Sequence, residues 1–422
     1  MKKVLLGTLA VLTLAACSKD EVIQQNPNDE ITFTAVTNKA VSRAADGYCN
    51  SSMPASMVVS ALYTSDGTWK TYFTNETYKK GTGSSYAIPN DVSHRYWPDL
   101  GTADDGIKMK FFAMVNATPA WDGATMKVAN FTVSSTVKDQ VDVLYAVQEV
   151  TKKPDEGTQT INFRHALSQI EFAAQNKNKN IYVEITGVQV MNVWDKATFA
   201  MPTKSTSDNV SLHTTPVGTY PSDATTICTW SNWANSSGSE TKAAKDFGVK
   251  FDPVKLSQKK VTKESPLTYS DAQADASSLT TEDETGEWNT NTMYLLPQEI
   301  KSWVPTDNAK PAAGKGSYFL VKAKIWNVPA GNGYRADTSN DVVLWDDTKA
   351  SKDQFIAIPI PAITWEPGKR YVYTFIFTPD GNGGYNPDPS GSDPEPVLTP
   401  ITLSVTIDDF VKGEDKDVPM NK

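Results

Sequence analysis

Histidine and cysteine, the residues that most often supply bases, nucleophiles and metal ligands, occur only three times each in this 422-residue chain. His165 lies in phase with Phe163 and Leu167 in a period-two run, so it reads as a packed histidine with a buried partner rather than a general base. His94 sits in Ser93-His94-Arg95-Tyr96-Trp97 and His213 in a Thr-rich stretch, neither near a partner in sequence. No H-E-x-x-H, G-x-S-x-G or G-x-x-x-x-G-K-[ST] pattern occurs, which removes the usual marks of zinc proteases, serine hydrolases and P-loop enzymes. Asp380-Gly381-Asn382-Gly383-Gly384 opens like a calcium loop, but Gly391 stands where the closing carboxylate is required. The acidic run Thr281-Glu282-Asp283-Glu284 has no spacing that pairs carboxylates for acid–base work. The expectation is a protein that is not an enzyme, with no catalytic residue, no metal site and no cofactor.

One cysteine does have a chemical context. Lys2 and Lys3 precede Val4 to Leu14, which is apolar apart from Gly7, Thr8 and Thr13, and Leu14-Ala15-Ala16-Cys17 follows. The apolar run is too short to span a bilayer and has the layout of a secretory signal. Small residues before a Cys resemble a bacterial lipobox. There the thiol receives a diacylglyceryl group, the chain is cut before the Cys and the freed amine is acylated. Several acyl chains on one residue hold a protein stably to a membrane where one would not. Residues 1–16 are therefore expected to be a signal peptide and Cys17 a lipidation site anchoring the chain to the outer membrane. Losing Lys2 and Lys3 leaves 38 basic against 49 acidic residues, so the net charge moves from −9 to −11. That balance argues against nucleic acid as a partner. Cys49 and Cys228 remain, 179 positions apart. An exported chain permits a disulfide, but two unpaired thiols are expected.

The elements carrying these residues read as strands. Hydrophobic residues make up 39% and charged residues 21%, which excludes a multi-span membrane protein and a charge-driven disordered one. Aromatics reach 10%, with 11 Trp, which suits β-sandwich cores. After a polar tether at 17–30, Ile31, Phe33 and Ala35 share one face of an alternating run. Further strands are expected at Met57–Tyr63, Lys108–Asn116, Lys127–Val133 and Asp142–Val150. The polar stretch Thr151–Thr158 suggests a boundary between a first domain at 31–157 and a second at 158–378. In Ile161–Ala174 the apolar phase slips by one residue, as it does across Gly187 in the next strand. Both slips suggest β-bulges in neighbouring strands of one curved sheet edge. Residues 220–287 read as a long loop with little core. Strands return at Thr292–Leu296, Tyr318–Trp326, Gln354–Ile360 and Tyr371–Phe377. Residues 379–396 have the Pro/Gly/Asp composition of a flexible linker. In the tail at 397–422, Ile401, Leu403, Val405 and Ile407 alternate with polar residues.

Taken in order, several segments resemble the Bacteroidales fimbrillin-like lipoproteins, the type V pilin superfamily. They are the lipobox ending in Cys17, an early strand followed by Ser42-Arg43-Ala44, and Asn162-Phe163-Arg164-His165-Ala166-Leu167-Ser168-Gln169-Ile170-Glu171-Phe172. Gly187 to Val193, Leu295-Leu296-Pro297-Gln298 and Trp365-Glu366-Pro367-Gly368-Lys369-Arg370-Tyr371-Val372-Tyr373 continue the series. Cys17-Ser18-Lys19-Asp20-Glu21 also resembles the surface-export flank of Bacteroidetes lipoproteins. The resemblance implies an all-β chain of two tandem transthyretin-like Greek-key β-sandwich domains without catalytic activity. It implies that an Arg-specific protease cuts between Arg43 and Ala44, removing the strand that holds Ile31, Phe33 and Ala35. A strand from another pilin subunit then fills the gap, and Ile401, Leu403, Val405 and Ile407 have the pattern of that donor. Two alternatives stand beside this: Arg43 as an uncut loop residue, and the tail as the last strand of its own second domain. The alternative of a different class is a monomeric outer-membrane lipoprotein that binds glycans, using tryptophans such as Trp230 and Trp233.

Overall fold

The computed structural model describes residues 30–37, 53–98, 108–151, 157–178, 180–206, 227–236, 247–256, 277–278, 280–282, 288–290, 292–305, 316–327, 342–345, 355–379, 383–385 and 396–409. Among them, regular structure is all β apart from one 3-10 turn at Val137–Asp139. The first strands are β1 (Thr32–Thr37), β2 (Ser56–Thr64), β3 (Lys70–Lys80), β4 (Ser85–Ala87), β5 (Lys108–Val115), β6 (Ala120–Trp121), β7 (Met126–Thr132), β8 (Leu144–Val150) and β9 (Thr158–His165). Then follow β10 (Ser168–Asn176), β11 (Ile181–Met191), β12 (Lys196–Ala200), β13 (Thr229–Ala234), β14 (Phe247–Leu256), β15 (Ser277–Ser278), β16 (Thr280–Glu282), β17 (Trp288–Thr290), β18 (Met293–Leu295) and β19 (Glu299–Ile300). The last are β20 (Tyr318–Asn327), β21 (Val342–Trp345), β22 (Phe355–Pro359), β23 (Ile363–Thr364), β24 (Lys369–Phe377), β25 (Gly383–Tyr385) and β26 (Pro396–Asp409).

Seven strands close on themselves in the order β1-β4-β3-β2-β5-β8-β9. Alternation drives the closure, because each strand turns one apolar set inward. Ile31, Phe33, Val59, Tyr78, Met109, Phe111, Leu144 and Phe163 meet there in one buried cluster. A closed ring leaves no edge of unpaired N–H and C=O groups. The second half builds an eleven-stranded sheet ordered β14-β11-β20-β22-β25-β26-β24-β10-β15, with β18 on β10 and β21 on β20. The β6–β7 hairpin leaves the ring between β5 and β8 and joins β12 and β13 in a four-stranded sheet, β13-β12-β7-β6. A second core is continuous across the two halves. It contains Phe112, Tyr145 and Val147 from the ring together with Ile170, Val188, Phe319 and Tyr373 from the large sheet.

Several expectations change. The phase slip after His165 is not a bulge: β9 ends there, pairing with β1 and β8, and β10 starts at Ser168, pairing with β24 and β18. Ala166 and Leu167 carry the chain from one sheet to the other. The Ala166 N–H donates to Val143 O, and Leu167 O accepts from the Gly368 N–H. The chain therefore passes from the ring to the large sheet at 166–167. β10 and β11 are not neighbours but lie toward opposite ends of the large sheet. The slip at Gly187 is a true irregularity, with register shifting between Ile185 and Gly187 against both β14 and β20. Region 220–287 contributes more core than its composition suggests. Cys228, Trp230, Phe247 and Leu256 are buried, and β14 is ten residues long. The stretch 379–396 is not wholly a linker either. β25 pairs with β22 and β26, and Tyr385 packs edge-on against Trp303 at 5.9 Å.

Candidate strand-exchange groove

β1 is the strand that closes the ring. It runs parallel to β9 over six paired residues, Thr32↔Thr158 to Thr37↔Phe163, and antiparallel to β4 over two, Phe33↔Tyr86 and Thr34↔Ser85. Its inward residues Ile31, Phe33 and Ala35 are buried, whereas Thr32, Thr34 and Val36 are half-buried on the outer face. Phe33 makes edge-to-face contacts with Tyr78 at 4.9 Å and Phe111 at 5.2 Å. Burying the Ile31 and Phe33 side chains is worth roughly 1.5–3 kcal/mol each in transfer free energy. Without β1, these contacts and the facing edges of β4 and β9 would open as an apolar, hydrogen-bond-hungry groove.

The start of β1 is pinned by the segment around Arg95. The Ile31 N–H donates to Arg95 O at 2.8 Å, Glu30 bridges Tyr96, and Glu30 Oε1 lies 2.6 Å from His94 Nδ1. Arg95 in turn pairs with Glu76, and Tyr72 OH donates to Tyr96 O at 2.7 Å. Further along, the Ala35 N–H donates to Ser84 O at 3.0 Å, and the Thr32 and Thr158 hydroxyls meet at 2.7 Å. Beneath β1, the Tyr78 hydroxyl is buried without a hydrogen-bond partner among the described residues. Burial, helped by the Glu76 and Glu30 carboxylates, raises its pKa well above that of a free tyrosine.

The tail strand is placed in its own chain. β26 pairs antiparallel with β24 over nine residues, Phe377↔Ile401 to Lys369↔Asp409, and with β25 on its other side. Ile401 and Val405 are buried, Leu403 is half-buried and Ile407 is 45% exposed. Cys17, Arg43, Ala44 and Cys49 lie outside the described residues. β1 ends at Thr37, and Arg43 follows six positions later in sequence.

The remaining chemistry-bearing residues serve packing. His165 Nδ1 lies 2.9 and 3.0 Å from the two carboxylate oxygens of Asp142, with both residues buried. Cys228 is a free thiol in the second core, where burial pushes its pKa up to about 12, and its backbone N–H donates to Tyr145 OH. Trp230 is buried and donates its Nε1–H to Ala166 O at 2.9 Å. Trp233 is 41% exposed and donates to Pro297 O. Sequence reading missed the Glu30, Arg95 and Tyr96 pins, because nothing local ties Glu30 to a segment more than sixty positions away.

The chain aligns at 15% identity with a fimbrial protein from Bacteroides vulgatus of known crystal structure, covering 90% of this chain and 99% of that one, with a TM-score of 0.47. A fimbrilin from Porphyromonas gingivalis aligns at 10% identity, covering 91% and 99%, with a TM-score of 0.38. No curated protein sequence matches the chain. A family model described as fimbrillin-like matches residues 27–409, nearly the whole chain. The chain belongs to the fimbrillin-like family and is a structural fimbrial protein rather than an enzyme.

Proposed function

We propose that this fimbrial subunit is exported as an outer-membrane lipoprotein through Cys17 and polymerises by strand exchange once an Arg-specific protease cuts between Arg43 and Ala44. The observation that carries this reading is the seat of β1. A cut six residues beyond Thr37 frees the strand bearing Ile31, Phe33 and Ala35 from the rest of the chain. The groove between β4 and β9 then accepts a strand from the next subunit, which restores both the ladder hydrogen bonds and the buried apolar face. β26 supplies that strand. Ile401, Leu403, Val405 and Ile407 repeat the two-residue spacing of the β1 set, and β26 lies near the chain's end behind a Pro/Gly-rich stretch. It leaves β24 and β25 to do so. The polymer serves adhesion and biofilm formation, and its partners are other copies of this chain or related pilins.

The test is to incubate purified precursor, and separately Arg43→Ala, with an Arg-specific protease. SDS-resistant ladders from the precursor and none from Arg43→Ala are expected. A precursor that is cut at Arg43 yet stays monomeric removes strand exchange. Ladders from Arg43→Ala remove Arg43 from the mechanism. A chain that remains uncut and lipidated at Cys17 returns the reading to a monomeric glycan-binding lipoprotein.

A further inference from the structure

We infer that a pocket between the β6–β7 hairpin and the outer face of β2 and β5 binds a neutral pyranose sugar. The pocket has a volume of about 170 Å³ and is lined by Trp69, Lys110, Phe112, Trp121, Thr125 and Thr203 among others. That volume is worth roughly five or six waters of liquid, room for one six-membered ring but not for a peptide segment. Phe112 and Trp121 lie 6.2 Å apart at an interplanar angle of 39°. Aromatic walls of this kind suit the C–H face of a sugar ring.

Two further features select the ligand's chemistry. The indole N–H groups of both Trp69 and Trp121 have no protein acceptor among the described residues, so each is available to a ring oxygen or hydroxyl. Trp97, Trp230, Trp233 and Trp365, by contrast, donate their indole N–H groups to protein oxygens. The pocket's one cation is also committed. Lys110 Nζ lies 3.0 Å from Glu149 Oε2, donates to Thr203 O at 3.1 Å and sits 4.7 Å from the centre of the Trp69 ring. Glu149 also pairs with Lys108, Oε1 to Nζ at 3.7 Å. The Lys110 ammonium, held by Glu149, Thr203 and the Trp69 ring, is nonetheless already engaged rather than free for a ligand carboxylate or phosphate. Uncommitted donors, aromatic walls and an engaged cation together fit a neutral sugar. This inference is independent of strand exchange, since none of these residues belongs to β1 or β26.

The full chain is titrated with methyl β-galactoside, methyl α-glucoside and N-acetylglucosamine, with glucuronate as the charged comparator, using saturation-transfer NMR. Saturable binding of at least one neutral sugar, tighter than glucuronate, is expected. Trp121→Ala should abolish it, and Trp233→Ala should leave it unchanged. Trp69→Phe keeps a ring but removes an N–H, so it tests the pocket even where Trp121→Ala fails to fold. It should weaken binding about threefold to tenfold, the loss of one neutral hydrogen bond. No saturable binding by any neutral sugar, equal or tighter binding of glucuronate, or wild-type affinity in Trp69→Phe would each overturn the inference.

Discussion

Phe33→Ala measures how firmly β1 is seated. Phe33 has no exposed surface and two edge-to-face partners, Tyr78 and Phe111. Phe→Ala changes in cores cost about 3–5 kcal/mol, and two ring partners place this site in the middle of that range, at about 4 kcal/mol. Against a typical domain stability of about 5–15 kcal/mol, the uncut variant stays folded but weakened. Urea unfolding followed by tryptophan fluorescence reads that loss directly. After cleavage at Arg43, the same deficit falls on the hold of the severed segment alone. At about 1.4 kcal/mol per tenfold change, 4 kcal/mol loosens it by nearly three decades, so polymer forms much sooner. Phe33→Leu keeps apolar burial while losing the ring contacts and should cost roughly 1–2 kcal/mol. A cost below about 1 kcal/mol for Phe33→Ala would refute the packing argument. A full cost with no change in polymerisation rate would show instead that release of β1 does not limit assembly.

Other consequences follow from buried groups away from the groove. Arg370→Met strands Glu171, whose Oε2 lies 2.5 Å from the guanidinium while Oε1 accepts from Gln169 and Thr292. An uncompensated buried carboxylate should cost about 3–5 kcal/mol, and adding Glu171→Met should recover much of it in denaturation midpoints. A single variant as stable as wild type would deny the pair any role. Cys228, with its thiol pushed up to about 12, should resist iodoacetamide at pH 8 in the native protein and react once unfolded in urea. Equal labelling in both states would contradict its burial. Tyr78, Tyr371 and Tyr373 have pKa values raised mainly by burial, so the stability they contribute is complete below the ordinary tyrosine value of 10.0 and is lost as pH climbs above it. Each should steepen alkaline loss of stability by up to about 1.4 kcal/mol per pH unit, and urea midpoints that stay flat above that value would disprove it.

Legibility in the sequence followed local periodicity and failed where pairing is long-range. β1 was visible because it buries alternate apolar residues, and β2, β5 and β8 because they are short apolar runs buried on both faces. β3 was not, because in Lys70–Lys80 only Phe73 and Tyr78 are buried, and Asn75 at φ 51° disturbs its register with β2. A one-residue phase slip has two physical origins that look alike in sequence, a bulge and a change of sheet. Gly187 carries the first and Ala166-Leu167 the second. Nor does composition exclude a strand when the partner supplies the core: β25 is Gly383-Gly384-Tyr385, held by β22, β26 and Trp303. The inward set of the groove was readable from its alternation. The pins at its mouth and the β6–β7 hairpin's pairing with β12 were not, since periodicity names no partner.

The asymmetry of the groove also sets which way an incoming strand should run. β1 meets β9, its long neighbour, in parallel and meets only two residues of β4 antiparallel. Parallel pairing is slightly weaker per residue, so the resident strand makes its longer contact in the poorer geometry. A donor running the opposite way would turn the six-residue contact antiparallel and leave only the short one parallel, so exchange gains from direction alone. Cysteines on the outer phase decide the point without knowledge of register. Thr158→Cys or Thr160→Cys in the acceptor is paired with Thr402→Cys, Ser404→Cys or Thr406→Cys in the donor, in a Cys49→Ser background where buried Cys228 is inert. In an antiparallel donor, moving the acceptor cysteine from 158 to 160 shifts the best-trapped partner two residues toward the donor's N-terminus. A parallel donor shifts it two residues toward the C-terminus, and that result would remove the directional gain. Disulfide-linked dimers that form with no preference among the three donor positions would place β26 outside the groove altogether.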